Sequence, residues 1–476
     1  MAQDTEGKLR AGALGPLAIA FFVISAAGPL VAMAGGIPVA MLFGNGAGLP
    51  AMFLLASVLL IAFAVGYTRM ARDVRSAGAF YAFAARGLGG IAAGATGMIA
   101  LLSYNAIQIG LYGLFGSAAK ALVEPWTGIA LPWWAYSGAA LVSVAWFGFR
   151  QVDLSAKVLG ALVAAEYLVV VVLDVLIVGH GGDSGLSLRP FQPELFMAGS
   201  PAIGLMLCFA AFVGFEATTI YSEEARDPER TIPRATYFSV ILIGVFYTIS
   251  TWAAVNGIGV DKLAPLLSGA PDPTVLLFDL ADRYAGAPMT LAMRVLFVTS
   301  TYAALLAFHN AISRYFFAMG REHLLPRRLG RTHPDFNSPH IGSVTQSALA
   351  AVCVVLFAVS GADPVLVVFT LLSAVATLGI IVLIAITSLS TCRHLLRETP
   401  PPVAVIAVSA VSLVVFGAVA ALAVTRFDVL TGSAGAMNTV MPGSILVVAL
   451  IGAGLAQRLR QRDPEAYARL GRSSDV

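Results

Sequence analysis

Charge is scarce in this chain. Only 12% of its 476 residues are Asp, Glu, Lys or Arg, against 58% hydrophobic ones, and the mean hydropathy is +0.85. A water-soluble domain carries about 25% charged residues because its surface must stay hydrated. Halving that share excludes an ordinary soluble fold and points to a surface that faces lipid. Cysteine is equally sparse: Cys208, Cys353 and Cys392 stand far apart, with no spacing that would ligate zinc or staple a disulfide scaffold. The net charge of +3 carries no nucleic-acid footprint. A membrane-embedded enzyme would need clustered metal ligands or a nucleophile–base pair, and the spans hold one histidine, His309, with no HExxH pattern or Ser/His/Asp set. A membrane sensor would call for a signalling domain, and no sizeable soluble segment stands in the sequence to supply one. No enzymatic activity, cofactor, metal or nucleic-acid partner is expected.

What the chain has in abundance is long apolar runs. A transmembrane helix needs roughly 20 apolar residues, each rising about 1.5 Å through a hydrocarbon core of about 30 Å. On that measure there are about twelve spans, at 14–40, 48–70, 89–118, 132–149, 155–178, 199–222, 235–258, 289–318, 341–360, 364–390, 402–424 and 439–457. The largest connection outside them is 259–288, with its Asp and Pro residues. The first run follows Lys8 and Arg10 as a signal peptide's would. From Leu14 to Phe43, however, it is far longer than a signal's apolar core of about 7–15 residues, so it is read as a span.

Basic residues resist translocation and so set orientation. With the N-terminus placed in the cytoplasm, 22 of the 29 Lys and Arg residues fall on the cytoplasmic side, and five (Lys120, Arg189, Lys262, Arg283, Arg426) on the other. Arg294 and Arg314 lie in one span. The expectation is an all-α, multi-pass protein of the cell (inner) membrane with both termini cytoplasmic. The tail from Gln457 to Val476 reads as a short basic helix at the membrane surface.

Two spans break the helical rule. Lipid offers backbone groups no partner, so spanning helices satisfy them internally. The first span carries SAAGPLVAMAGG, Ser25 to Gly36. Pro29 lacks an amide proton and Gly28 adds backbone freedom, so the stretch Ala26 to Leu30 is expected to unwind. Its freed amides suit a carboxylate and its carbonyls an ammonium or cation; a plain proline kink is the simpler alternative. The sixth span reads LMLCFAAFVGFEATTIY, with Glu216 at mid-depth beside Gly214 and no basic residue within a turn. An ionised acid there costs about 2.5–3.5 kcal/mol on insertion scales, so it is either functional or neutralised in the bundle. Pro228 and Pro233 mark the end of this helix and the start of the next. Interruptions in spans one and six are what an inverted five-plus-five repeat produces.

Further polar residues fall inside spans. Asn105 and Gln108 are three apart and share a face; they line a cavity or join helices. Span eight carries Thr299, Ser300 and Thr301, then His309, the hydroxyls being candidate ligands for an ion or substrate and the histidine a packing residue. Asp174 and Arg294 sit toward the outer leaflet as gate or snorkelling residues. Glu223 and Glu224 stand at the inner mouth, within reach of Arg75 or Arg314.

Three motifs give the chain a family resemblance. RDVRSAGAFYAFAARGLG (Arg72–Gly89), FVGFEATTIYSEEARDPERTIPRA (Phe212–Ala235) and AISRYFFAMGREHLLPRRLGRTHPDFNSP (Ala311–Pro339) resemble, in order and loop placement, segments of the amino acid–polyamine–organocation permeases. The first has Ser76-Ala77-Gly78 where the family has Pro-Gly-Gly. The resemblance implies a LeuT-type fold, with residues 1–390 as a ten-helix inverted-repeat transport core and 391–476 as two peripheral helices and a tail. It implies alternating access around a site between spans 1, 3, 6, 8 and 10. By position, Ser25, Ala26, Ala27, Gly28, Pro29 and Leu30 would hold a substrate carboxylate, although the family's usual Gly-Ser/Thr-Gly is absent. Phe212, Val213, Gly214, Phe215, Glu216 and Ala217 would hold the amino end. Many relatives have lysine where Glu166 stands; a branch resembling putrescine and related importers has glutamate. Glu166, with Glu216, is thus a candidate coupling acid, a binder of a second amino group, or a neutral buried carboxyl. The expected partners are an amino acid or amine substrate, a co-transported proton or cation, and membrane lipid, with the oligomeric state left open.

Overall fold

The computed structural model describes residues 15–16, 19–20, 23–24, 28–74, 78–150, 156–219, 225–270, 272–334, 338–431 and 435–471, apart from the side chains of residues 156–159 and of Ala217. Every secondary-structure element among them is a helix. In chain order the main ones are α1 (Val31–Phe43), α2 (Leu49–Asp73), α3 (Phe80–Gly87), α4 (Gly90–Thr127), α5 (Trp133–Arg150), α6 (Ala156–Gly179), α7 (Pro201–Ala210) and α8 (Pro228–Ile258). There follow α9 (Leu276–Ala285), α10 (Ala287–Arg321), α11 (His340–Val359), α12 (Thr370–Leu395), α13 (Val403–Thr425), α14 (Met437–Arg462) and α15 (Pro464–Ala468). Nine of the described helices are long and apolar enough to cross a membrane: α2, α4, α6, α8 and α10 to α14, α12 with the π turn Pro364–Phe369 that leads into it. The apolar α1 and α7 are shorter. The protein is a multi-span, all-helical membrane protein.

Burial sorts these helices into a centre and a rim. The apolar stretches of α4 and of the α12 segment are 83% buried, whereas those of α13 and α14 are only 22% buried. The central pair therefore packs against protein on all sides, while Val411, Val414, Leu446 and Leu450 of the rim helices face outward, as lipid-contacting residues do. The rim is still tightly joined to the centre. Where α14 crosses α4, Gly94 and Gly452 put their α-carbons against each other's carbonyl oxygen, leaving no room for a side chain.

Among the boundaries that differ from the hydropathy reading, three have plain causes. α4 continues past 118 to Thr127 because a helix with polar side chains persists beyond the apolar run; Lys120 and Glu124 pair one turn apart at 3.9 Å, and Gly128 in the left-handed region closes the helix. α8 starts at Pro228, not 235, because proline suits the first helical position. The connection 259–288 is largely helical, with α9 burying Leu276, Leu277, Phe278, Leu280 and Ala281 and exposing Asp279 and Asp282.

Candidate functional site

The site is built where helices stop. Before α1, Gly28 adopts φ +52°, a left-handed conformation that costs an L-residue about 1–2 kcal/mol. A Cβ there would also lie 2.9 Å from Cγ2 of Val31. Just beyond this bend the Leu30 amide donates to Oε2 of Glu166 at 3.2 Å, and the hydroxyl of Ser300 donates to the same oxygen at 2.7 Å. One buried carboxylate on α6 thereby ties the start of α1 to α10. Ser25, Ala26 and Ala27 lie outside the described residues.

The second break follows α7. The chain leaves the helix at Ala210, turns through Ala211–Gly214 and resumes as a 3-10 turn over Phe215–Thr219. Gly214 sits at φ +110°, a region closed to most side chains. Its amide donates to Oε2 of Glu216 at 2.9 Å, and the Tyr104 hydroxyl donates to Oε1 at 2.6 Å. The Tyr67 hydroxyl donates to the Glu216 carbonyl at 2.6 Å and contacts Thr219 Oγ1 at the same distance. Glu216 is 0% exposed, and these partners are all neutral.

Between the breaks lies a pocket whose empty space, its open mouth included, is about 670 Å³. α1 contributes Val31, Ala32, Ile37 and Val39, and the α7 region Leu207, Ala210, Ala211 and Val213. Phe53 of α2, Ile107 and Leu111 of α4, and Ala304 and Phe308 of α10 close the sides, with Phe369, Thr370 and Ser373 from the α12 segment.

The candidates singled out by sequence are distributed around this pocket. Val213 lines it. Leu30 binds Glu166, next to Pro29 and Gly28, and Phe212 and Phe215 pack on Phe53 and Phe63 at ring distances of 6.4 and 5.9 Å. The Ala217 side chain lies outside the description. Asn105 donates to the Leu101 carbonyl at 2.7 Å. Gln108 donates to the Leu305 carbonyl at 3.1 Å and accepts from Gln346, tying α4 to α10 and α11. The α4 residues that face the pocket are Ile107 and Leu111, on the neighbouring stripe.

His309 is hydrogen-bonded to Ser343 at 2.8 Å and Asp174 to Ser250 at 2.5 Å, while Arg294 stacks over Phe278 at 4.6 Å. Glu223, Glu224 and Arg75 lie outside the described residues. Asp73, His394 and Glu398 approach one another, but Arg69 pairs with both acids at 2.9 and 2.7 Å, which makes the cluster an ion-pair network. Sequence reasoning did not single out Tyr67, Tyr104 or Ser373. Tyr104 was within reach, because it sits one helical turn before Gln108.

Both interruptions, the bridging carboxylate and the pocket fall inside one family-wide match: the profile described as "Amino acid permease" covers residues 26–431. The chain belongs to the amino acid permease family. Among its relatives, the permease is 24% identical over 315 residues to the "Low-affinity putrescine importer PlaP" of Escherichia coli (strain K12), covering 64% of this chain and 66% of that protein. It is 26% identical over 322 residues to the "Branched-chain amino acid permease BcaP" of Bacillus subtilis (strain 168), covering 63% and 65%. It is 24% identical over 379 residues to "Cationic amino acid transporter 4, vacuolar" of Arabidopsis thaliana, covering 75% and 58%. The permease therefore spans just under two thirds of the length of the first two relatives. The match ends in the connection after α13, so α14 and α15 lie beyond the family-wide region.

Proposed function

We propose that this permease is a secondary active transporter that carries an amino acid across the cell membrane by alternating access, with a proton as the coupled ion. The observation that carries the reading is the pair of glycine-centred breaks, at Gly28 and Gly214, set on either side of one pocket. Discontinuous helices in corresponding positions of two repeats are how many carriers expose backbone groups to a substrate at mid-membrane. In this reading the chain has twelve spans, with α1 and α7 the second halves and first halves, respectively, of spans one and six. Residues 1–390 form a LeuT-type five-plus-five core, 391–476 form a peripheral pair and tail, and both termini are cytoplasmic. The low burial of α13 and α14 supports that division.

Within the core, residues 25–30 receive the substrate carboxylate and residues 212–217 its ammonium group. Glu166 is the coupling acid: its single oxygen shared between Leu30 and Ser300 lies at the seam between α1, α6 and α10, where proton loading would change how those helices hold together. A polyamine or cationic amino acid importer or exchanger is the second reading, favoured by the names of two relatives and by two buried acids whose partners here are neutral.

Uptake into proteoliposomes tests the proposal. Labelled substrate should accumulate when the outside is acidified and equilibrate when the gradient is collapsed. No flux of any amino acid or amine under either condition rejects it.

A further inference from the structure

We infer that the pocket takes a neutral amino acid with a large apolar side chain, and that Ser373 supplies the hydroxyl that meets it. The inference rests on the transporter reading above and narrows its substrate. The larger side chains of the walls include Val31, Ile37, Leu111, Leu207, Phe308 and Phe369, and among the described residues no Asp, Glu, Lys or Arg lines the space. A buried ammonium or guanidinium must be paired or it does not stay charged there. The two buried acids nearby cannot serve a side-chain cation from where they stand. Neither lines the pocket; Glu166 is engaged by Leu30 and Ser300, and Glu216 by Tyr104 and Gly214. Apolar surface in such a pocket is instead matched by an apolar side chain, with a few placed polar groups fixing orientation.

The hydroxyls of the lining supply that polar group. Thr370 is already committed, donating to the Val365 carbonyl at 2.8 Å. Ser373 is 4% exposed, and its Oγ has no hydrogen-bond partner among the described residues. Buried hydroxyls are usually paired; Ser373 belongs to the pocket wall, and its Oγ, itself shielded from the open space, is the lining hydroxyl left to bond what enters once the wall adjusts to it. Phe53, Phe308 and Phe369 give the same space aromatic faces, which suit branched and aromatic side chains alike.

The test uses the purified full-length chain and a panel of leucine, phenylalanine, methionine, alanine, lysine and putrescine. Leucine and phenylalanine should raise the melting temperature and compete for labelled leucine uptake in proteoliposomes, while lysine and putrescine at the same concentration do neither. Lysine or putrescine binding and flux without any response to leucine or phenylalanine overturns the inference and leaves the transporter reading standing. No binding and no flux with any compound overturns both.

Two variants sharpen the result. Ser373→Ala should raise KM about three- to tenfold, the size of one hydrogen bond, at unchanged kcat, with Ser373→Thr restoring it; an unchanged KM overturns the role of Ser373. Ala304→Leu fills the space and should cut leucine uptake by about tenfold relative to alanine. Equal loss for both amino acids, in protein that melts as wild type does, overturns the assignment of the pocket.

Discussion

The Leu30 amide and the Glu166 carboxylate meet at 3.2 Å across 136 residues of sequence. An amide freed at the start of a half-helix is a site for negative charge, and here the chain's own acid fills it. Protonating that acid would remove the charge that the amide and Ser300 both bind, loosening α1 from α6 and α10. Substrate-driven and proton-driven rearrangements would then act on the same seam.

Glu166→Gln isolates the proton. Its amide oxygen can still accept from Leu30 or Ser300, so the fold should survive with a modest loss of stability, about 1 kcal/mol for a weakened hydrogen bond. A coupled proton permits about tenfold accumulation per pH unit. The variant should lose this dependence and bring labelled substrate only to equilibrium, while exchange of internal for external substrate continues. Normal accumulation under an imposed pH gradient would remove Glu166 from the coupling role.

Much of this architecture was legible in the sequence because membrane folding is governed by long runs and by exceptions to them. The apolar runs matched nine described helices, and Gly28 and Gly214 marked the two interruptions, although Pro29 and Leu30, expected within the first, are already helical. Helix ends at the water boundary were less visible: the run that ended near 118 concealed a helix continuing to Thr127. Partners were least visible of all. Nothing local in Tyr104 or Tyr67 announces Glu216, because those contacts cross 112 and 149 residues of chain. Ile107 and Leu111 face the pocket instead of Asn105 and Gln108, a rotation of α4 that its nearly uniform hydrophobicity does not encode.

Gly214→Ala tests the second break. At φ +110° an added methyl group forces strain of about 1–3 kcal/mol, and relieving it would move the amide that binds Glu216. Transport should fall steeply, and the melting temperature in detergent should drop. A variant with full transport would show that the Gly214–Glu216 geometry is dispensable.

At the end of the bundle formed by the 179–198 and 259–288 connections, Asp183 joins Lys262 at 2.5 Å and Arg283 at 2.6 Å with its side chain 6% exposed. Hydrogen bonds from Lys262, then Arg283 and Ser184, hold its carboxyl well below the usual carboxylate range. A depressed acid contributes stability that is fully present above its unfolded value of about 4 and is lost as pH falls through its folded value. Asp183→Asn should therefore lower the melting temperature slightly at pH 7, and the gap to wild type should close as pH is taken well below about 4. A gap that persists unchanged in acid would assign the loss to packing.

The tail is anchored more firmly than a floating surface helix. Glu322, just past α10, accepts from the Tyr81 hydroxyl at 2.5 Å and from the Gly471 amide at 2.9 Å through one oxygen. Leu470 is 4% exposed, Asp463 caps α15 through the Ala466 amide at 2.9 Å, and His323 lies 3.7 Å from that same acid. α3, the end of α10 and the C-terminal segment are thereby fixed to one another. Truncation after Arg462 would expose the face covered by Leu470 and leave Glu322 with one partner fewer. The apolar part alone is worth about 1.5–3 kcal/mol, and a buried carboxylate oxygen losing a donor adds about 1–3 kcal/mol. The truncated protein should melt lower than wild type, and Glu322→Ala in the full chain should reproduce part of that fall. If truncation leaves the melt unchanged while Glu322→Ala lowers it, Tyr81 alone holds Glu322 in place and the tail contributes nothing to the fold.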